Sequence, residues 1–155
     1  LKGDFPLQPE TAAFLFAADR NEHIYANDGI IAQTKQNKIV ISDRYTFSSM
    51  AYQSIGGKKE LPYKLNEDFP LPEILFFFDV QPEVSLKRIQ KRSVIEIYEK
   101  KDFLEKTAAA YNEVISYYEK LNTGMKIVRI DATESIEKTA QIIWSYLQEL
   151  PILKA

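Results

Sequence analysis

Residues 39–53 read IVISDRYTFSSMAYQ, and the meaning of this stretch decides the fold. Ile39 to Ser42 is a short β-branched run with strand character. It stops at a charged pair, Asp43-Arg44, and Tyr45 to about Ile55 then reads as a helix carrying Ser48, Tyr52 and Gln53. A strand that ends in an acid and a base marks the carboxyl end of a buried parallel strand, where ligands bind in open α/β sheets. Arg44 offers a planar fork of donors suited to a phosphate. Asp43 can orient that fork or hold a Mg²⁺ ion through water. The bland alternative is a surface salt bridge at a strand end. For an isolated Asp-Arg pair it is the better reading; the neighbouring Ser48, Tyr52 and Gln53 favour a site.

Working outward, the pattern alternates. Pro9 suits the first position of a helix running from Glu10 to about Gln36, which Asn27-Asp28-Gly29 can divide. Glu60 to Asp68 holds a short helix, ended by Pro70 and Pro72. Ile74 to Val80, ILFFFDV, is apolar on both faces up to Asp79, as in a central parallel strand covered by helices. A helix follows from Pro82 to about Arg92, then a charged connector from Ser93 to Lys101. Asp102 to about Leu121 is a long amphipathic helix closed by Asn122-Thr123-Gly124. Met125 to Ile130 is a third strand, and Ser135 caps a last helix reaching about Leu150. Alternation of this kind predicts an α/β fold, a three-layer parallel sheet with helices on both faces. Three strands make a thin sheet, and the chain begins at Leu1 rather than Met. The expectation is a single domain over 1–155 whose first strand lies before Leu1.

Composition narrows the function. The 155 residues carry 20 Lys and Arg against 22 Asp and Glu, mixed along the chain, which gives no basic face for nucleic acid. There is no Cys and one His, His23, which argues against a disulfide framework or a thiolate or His-rich metal centre. No apolar run approaches the ~20 residues of a membrane span, so no membrane partner is expected, and a cytoplasmic location is.

Three further clusters could carry chemistry. Phe16 and Arg20 share a helix face at a spacing of four; an aromatic plane beside a guanidinium can stack on and hydrogen-bond a nucleobase. By periodicity alone, Phe16 in the core and Arg20 in solvent is the better assignment. Arg88 and Arg92, flanked by Lys87 and Lys91, could clamp transferring phosphates. Taken alone, bases that suit the helix dipole explain them better. Asp131-Ala132-Thr133 follows the third strand and could line a nucleotide pocket or be a simple turn. Gly56-Gly57-Lys58-Lys59 lacks the G-x-x-x-x-G-K-[ST] spacing and reads as an ordinary basic loop.

Five stretches in order resemble the thymidylate kinase family: LFAADR at 15–20, VISDRYTFSSMAYQ at 40–53, LPEILFFFDVQPEVSLKRIQKR at 71–92, IYEKKDFLEKTAAAY at 97–111 and IDATESIE at 130–137. The resemblance implies a P-loop-kinase-like fold and transfer of the γ-phosphoryl of ATP to dTMP, with Mg²⁺ and a homodimer. It implies roles by position. Phe16 would stack on thymine and Arg20 would hydrogen-bond it. Arg44 would hold the acceptor phosphate, with Asp43 beside it near the metal. Ser48 and Gln53 would line the base, and Tyr52 would pack by the sugar. Tyr98 would face dTMP from beyond the lid, expected at about 92–101. Arg92 would act in transfer on the ATP side, with Arg88, Asp131, Ala132 and Thr133 near the donor nucleotide.

Two departures qualify the implied activity. The family's P-loop has no counterpart in these residues and would precede Leu1, so a protein beginning at Leu1 is expected to be inactive. Ser93 to Glu99 contains no Arg; some members of the family carry a catalytic Arg in the lid and others in the P-loop, so the resemblance implies the second arrangement, with a lid that has lost residues as the alternative. A deoxynucleoside kinase, or a non-catalytic nucleotide-binding module, is the alternative.

Overall fold

The computed structural model describes residues 7–89 and 101–153. In chain order the elements are α1 (Pro9–Tyr25), α2 (Ile30–Thr34), α3 (Thr46–Gln53), α4 (Glu60–Lys64), β1 (Ile74–Asp79), α5 (Pro82–Ile89), α6 (Lys101–Leu121), β2 (Lys126–Asp131) and α7 (Ile136–Leu147), with a final 3₁₀ turn at Pro151–Leu153. They divide into two compact units. One comprises residues 1–70 and 109–116, the other residues 71–108 and 117–155.

The first unit is helical. Pro9 opens α1, where its missing N–H costs nothing. Ala13, Ala17 and Ile24 are the buried residues of that helix. Their spacing defines one inward stripe, and Arg20 lies on it. The helix ends at Tyr25 and restarts at Ile30, as Asn27-Asp28-Gly29 predicted. Gly29 is needed there, because a Cβ would meet the carbonyl oxygens of His23 and Ile24 at 2.7 and 2.8 Å. The core is completed by Phe47, Met50 and Ala51 of α3 and by Val114 and Ile115 of α6. Burying each of the larger side chains contributes about 1.5–3 kcal/mol. The Gly56-Gly57 loop is pressed against the start of α1, since a Cβ on Gly57 would lie 2.8 Å from Cβ of Pro9. The backbone amide of Lys58 donates to Glu10, and Lys59 pairs with Glu113. The loop is therefore a packing element, consistent with its reading as an ordinary loop.

The second unit holds the sheet. β1 and β2 run parallel, from Ile74 beside Lys126 to Asp79 beside Asp131. Val128 and Ile130 are buried at the alternate positions expected of a strand covered on one face. α7 packs against β2, and Phe76 meets Tyr146 edge-on with ring centroids 6.2 Å apart. The Ser135 hydroxyl accepts from the Lys138 amide, confirming the predicted cap.

Two expectations are corrected. Residues 39–42 form no strand: the described residues contain a two-stranded sheet, not three strands. A β-branched run becomes a strand only when a neighbour completes its ladder, and here Ile39, Val40 and Ile41 are exposed, Ile41 by 82%. β1 is also not covered on both faces, for Phe78 is 48% exposed and the rest of the strand is half-buried. The small parallel sheet and the mixed helix–strand order agree with an α/β class. The predicted end of the third-from-last helix at Arg92, the connector and the lid at about 92–101 fall mainly on residues outside the described ones.

Candidate functional site

The first unit holds seven of the residues singled out from sequence: Phe16, Arg20, Asp43, Arg44, Ser48, Tyr52 and Gln53. Arg20 is half-buried on the inward stripe of α1, while Phe16, one turn earlier, is 43% exposed. This inverts the assignment favoured by periodicity. The small Ala13 and Ala17 make the close contact, so the larger Phe16 is displaced to the rim and the long Arg20 reaches inward. Its Nη2 donates to Ser49 Oγ at 2.9 Å, and its Nη1 donates to Asn66 Oδ1. The guanidinium also lies over the rings of Tyr45 and Phe69, 5.6 and 5.9 Å from their centroids. Burial pulls its pKa below the ordinary arginine value, partly offset by Tyr45 and Asp19. No carboxylate pairs with it among the described residues.

Arg44 stands at φ 71°, a left-handed conformation that costs a non-glycine residue about 1–2 kcal/mol. Its carbonyl oxygen accepts from the Ser42 hydroxyl at 2.7 Å, and its guanidinium lies 5.3 Å from the Tyr52 ring centroid. Tyr52 in turn meets Tyr111 edge-on, with centroids 5.9 Å apart at 89°. Asp43 and Arg44 are both exposed and make no ion pair with each other among the described residues. The strand-end salt bridge is therefore not what this pair forms.

Ser48 and Ser49 are consecutive on α3 and so point about 100° apart. Ser49 takes Arg20, whereas Ser48 Oγ is 2.7 Å from the Tyr111 hydroxyl. Burial raises the Tyr111 phenol above its ordinary value, the Ser48 hydrogen bond opposes this, and Tyr52, Arg44 and Asp43 contribute at longer range. Gln53 Oε1 is buried and finds no hydrogen-bond partner among the described residues, which is an acceptor left open. Ser49, Asn66 and Tyr111 are the residues that sequence reasoning missed. They are 29, 46 and 63 residues from the partners they serve, and no short-range spacing reports such contacts.

In the second unit, Asp131 Oδ1 accepts from the Thr133 amide at 2.8 Å and from its hydroxyl at 2.7 Å. These two bonds hold the carboxyl below the ordinary carboxylate value. Arg88 Nη2 donates to the Ala132 carbonyl at 2.7 Å. Arg88 is thus tied to the 131–133 turn and is more than a base decorating a helix end. Arg92 and Tyr98 lie outside the described residues. The described residues contain no group of three or more His, Cys, Asp or Glu able to hold a metal. Asp43 is exposed and stands outside any such group, so its carboxylate fits a hydrated cation held through water.

The chain matches the family model described as thymidylate kinase over residues 1–143. It is 39% identical over 149 residues to a Treponema pallidum protein provisionally named thymidylate kinase, spanning 96% of this chain and 72% of that one. A provisionally named thymidylate kinase of Methanocaldococcus jannaschii is 36% identical over 153 residues, 97% of this chain and 74% of the relative. The thymidylate kinase of Malacoplasma penetrans is 30% identical over 161 residues, 94% and 71% respectively.

Proposed function

The chain belongs to the thymidylate kinase family, a family of phosphotransferases, and from that premise we propose that it transfers the γ-phosphoryl group of ATP to dTMP, giving dTDP. The observation that carries the acceptor assignment is the pair on α1. An exposed aromatic ring, Phe16, stands one turn from a half-buried guanidinium, Arg20, whose partners are all neutral. Such a pair can stack on a base and donate to its carbonyl oxygens.

The remaining residues take roles that suit their surroundings. Arg44 grips the acceptor phosphate with its fork, which lies over the Tyr52 ring. Tyr52 packs by the sugar. Gln53 and Ser48 line the base, Gln53 with an open acceptor and Ser48 through its bond to Tyr111. The 131–133 turn with Arg88 serves the donor nucleotide. Arg92 acts on the same side, and Tyr98 faces dTMP from a lid at about 92–101. Mg²⁺, when bound, would neutralise charge on the phosphates, and Asp43 is the residue here that would touch its hydration shell. Phosphoryl transfer depends on positioning and charge neutralisation more than on covalent chemistry. We read the two units as parts of one nucleotide kinase domain of three-layer α/β type. Exposed Phe14 and Leu15 on α1 support a homodimer. No described helix is long and apolar enough to cross a membrane, and the charged substrates suit a cytoplasmic location.

An acceptor panel tests the function. With ATP in excess, the full-length protein should convert dTMP to dTDP and leave thymidine unphosphorylated. Phosphorylation of thymidine in preference to dTMP would make the protein a nucleoside kinase instead.

A further inference from the structure

Asn66 follows α4 and is 2% exposed. Its side chain is committed at both ends. Nδ2 donates to the Pro62 carbonyl at 2.6 Å, so Oδ1 is the end that meets Arg20. The amide cannot flip without placing a donor against a donor and an acceptor against an acceptor. Ser49, 4% exposed, holds the other arm of the same fork. The rings of Tyr45 and Phe69 flank it. Arg20 is therefore aimed by four groups, and none of them is anionic.

From this we infer that Asn66, with Ser49 as the second arm, is a positioning residue that sets which base the acceptor site reads. The inference rests on the reading of Arg20 as the group facing the base. A guanidinium has five N–H donors and no acceptor. Asn66 and Ser49 each take one, leaving the others to the ligand. Those donors match a pyrimidine whose 4-position is a carbonyl. They oppose a 4-amino pyrimidine, which presents a donor at the same place. The neutral hydrogen-bond partners aim the fork without forming an ion pair with it, and Asp19 acts only at longer range, so the positive charge stays available to the carbonyl oxygen. A carboxylate in the place of Asn66 would bind the arginine more strongly and quench it, while losing the donor to the Pro62 carbonyl.

The test uses the full-length protein and steady-state kinetics with dTMP and dCMP as acceptors. Asn66→Ala frees one arm, Asn66→Asp quenches the fork, and Ser49→Ala frees the other arm while leaving the Asn66–Pro62 bond in place. Each folded variant should raise the dTMP KM about tenfold and lower the dTMP-over-dCMP ratio of kcat/KM about tenfold. kcat at saturating dTMP and the ATP KM should stay within about threefold. A purely structural role would lower the folded fraction, and hence kcat for both acceptors, without moving the ratio. Should both Asn66 variants fail to fold, Ser49→Ala decides. An unchanged dTMP KM and an unchanged ratio in any folded variant would overturn the inference. No dTDP formation by the wild-type protein would overturn the proposed function itself, which separates the two failures.

Discussion

Arg44 joins function to backbone cost, and substituting it separates the two. Its φ of 71° carries about 1–2 kcal/mol of strain for a side chain with a Cβ. Glycine removes that strain but adds about 0.4–1 kcal/mol of unfolded-chain entropy. Arg44→Ala and Arg44→Gly both lose the contact with Tyr52, worth about 0.5–1 kcal/mol at an exposed site, so it cancels between them. The Arg44→Gly variant should therefore be more stable than Arg44→Ala by about 0.5–1 kcal/mol. That reverses the usual order of the two residues. In urea unfolding the difference is a shift of about 0.3–0.5 M in midpoint. Activity should not follow stability. Both variants lose the charge-assisted bonds to the acceptor phosphate, about 1.5–3 kcal/mol, so kcat/KM for dTMP falls about ten- to hundredfold in each. Greater stability of Arg44→Ala would refute the backbone account. Near-wild-type kcat/KM in either variant would refute the phosphate grip.

Other perturbations give equally direct readouts. Phe16→Ala should leave unfolding free energy within about 1 kcal/mol, because the ring is exposed, yet raise the dTMP KM by about five- to a hundredfold, the worth of a stacked base. Gly57→Ala should destabilise by about 1–3 kcal/mol through the clash with Pro9, measured by denaturant unfolding. Tyr111→Phe should cost about 1 kcal/mol by leaving Ser48 without its partner. The Tyr111 phenol is raised above 10.0 in the folded protein, so the folded state resists its ionisation. Its contribution is complete below pH 10 and is lost as pH climbs through the folded value. Wild type should then lose stability above pH 10 more steeply than Tyr111→Phe in a pH series of unfolding curves.

The elements most legible in the sequence were those fixed by local chemistry. Pro9 started α1, Gly29 separated it from α2, and Ser135 capped α7, because each acts on its own backbone within one turn. The strands at 74–79 and 126–131 and their parallel direction were legible from two apolar runs joined by helical crossovers; that they are direct neighbours was shown by the structure. Residues 39–42 misled because a ladder needs a partner that composition does not supply. Phe16 and Arg20 were found as a pair, but their burial was assigned backwards: the hydrophobic scale ranks Phe as core, whereas the stripe is set by the small Ala13 and Ala17. Asn66, Ser49 and Tyr111 were invisible as site residues. A buried Asn is legible only once both ends of its amide have been found, and its two partners are 4 and 46 residues away.

A structure of the full-length protein with dTMP tests the central claim most directly. The account predicts the thymine ring against Phe16, its 4-carbonyl within hydrogen-bond reach of Arg20, and the phosphate on the guanidinium of Arg44. A nucleotide bound with its base away from Phe16 and Arg20, or its phosphate away from Arg44, would contradict it.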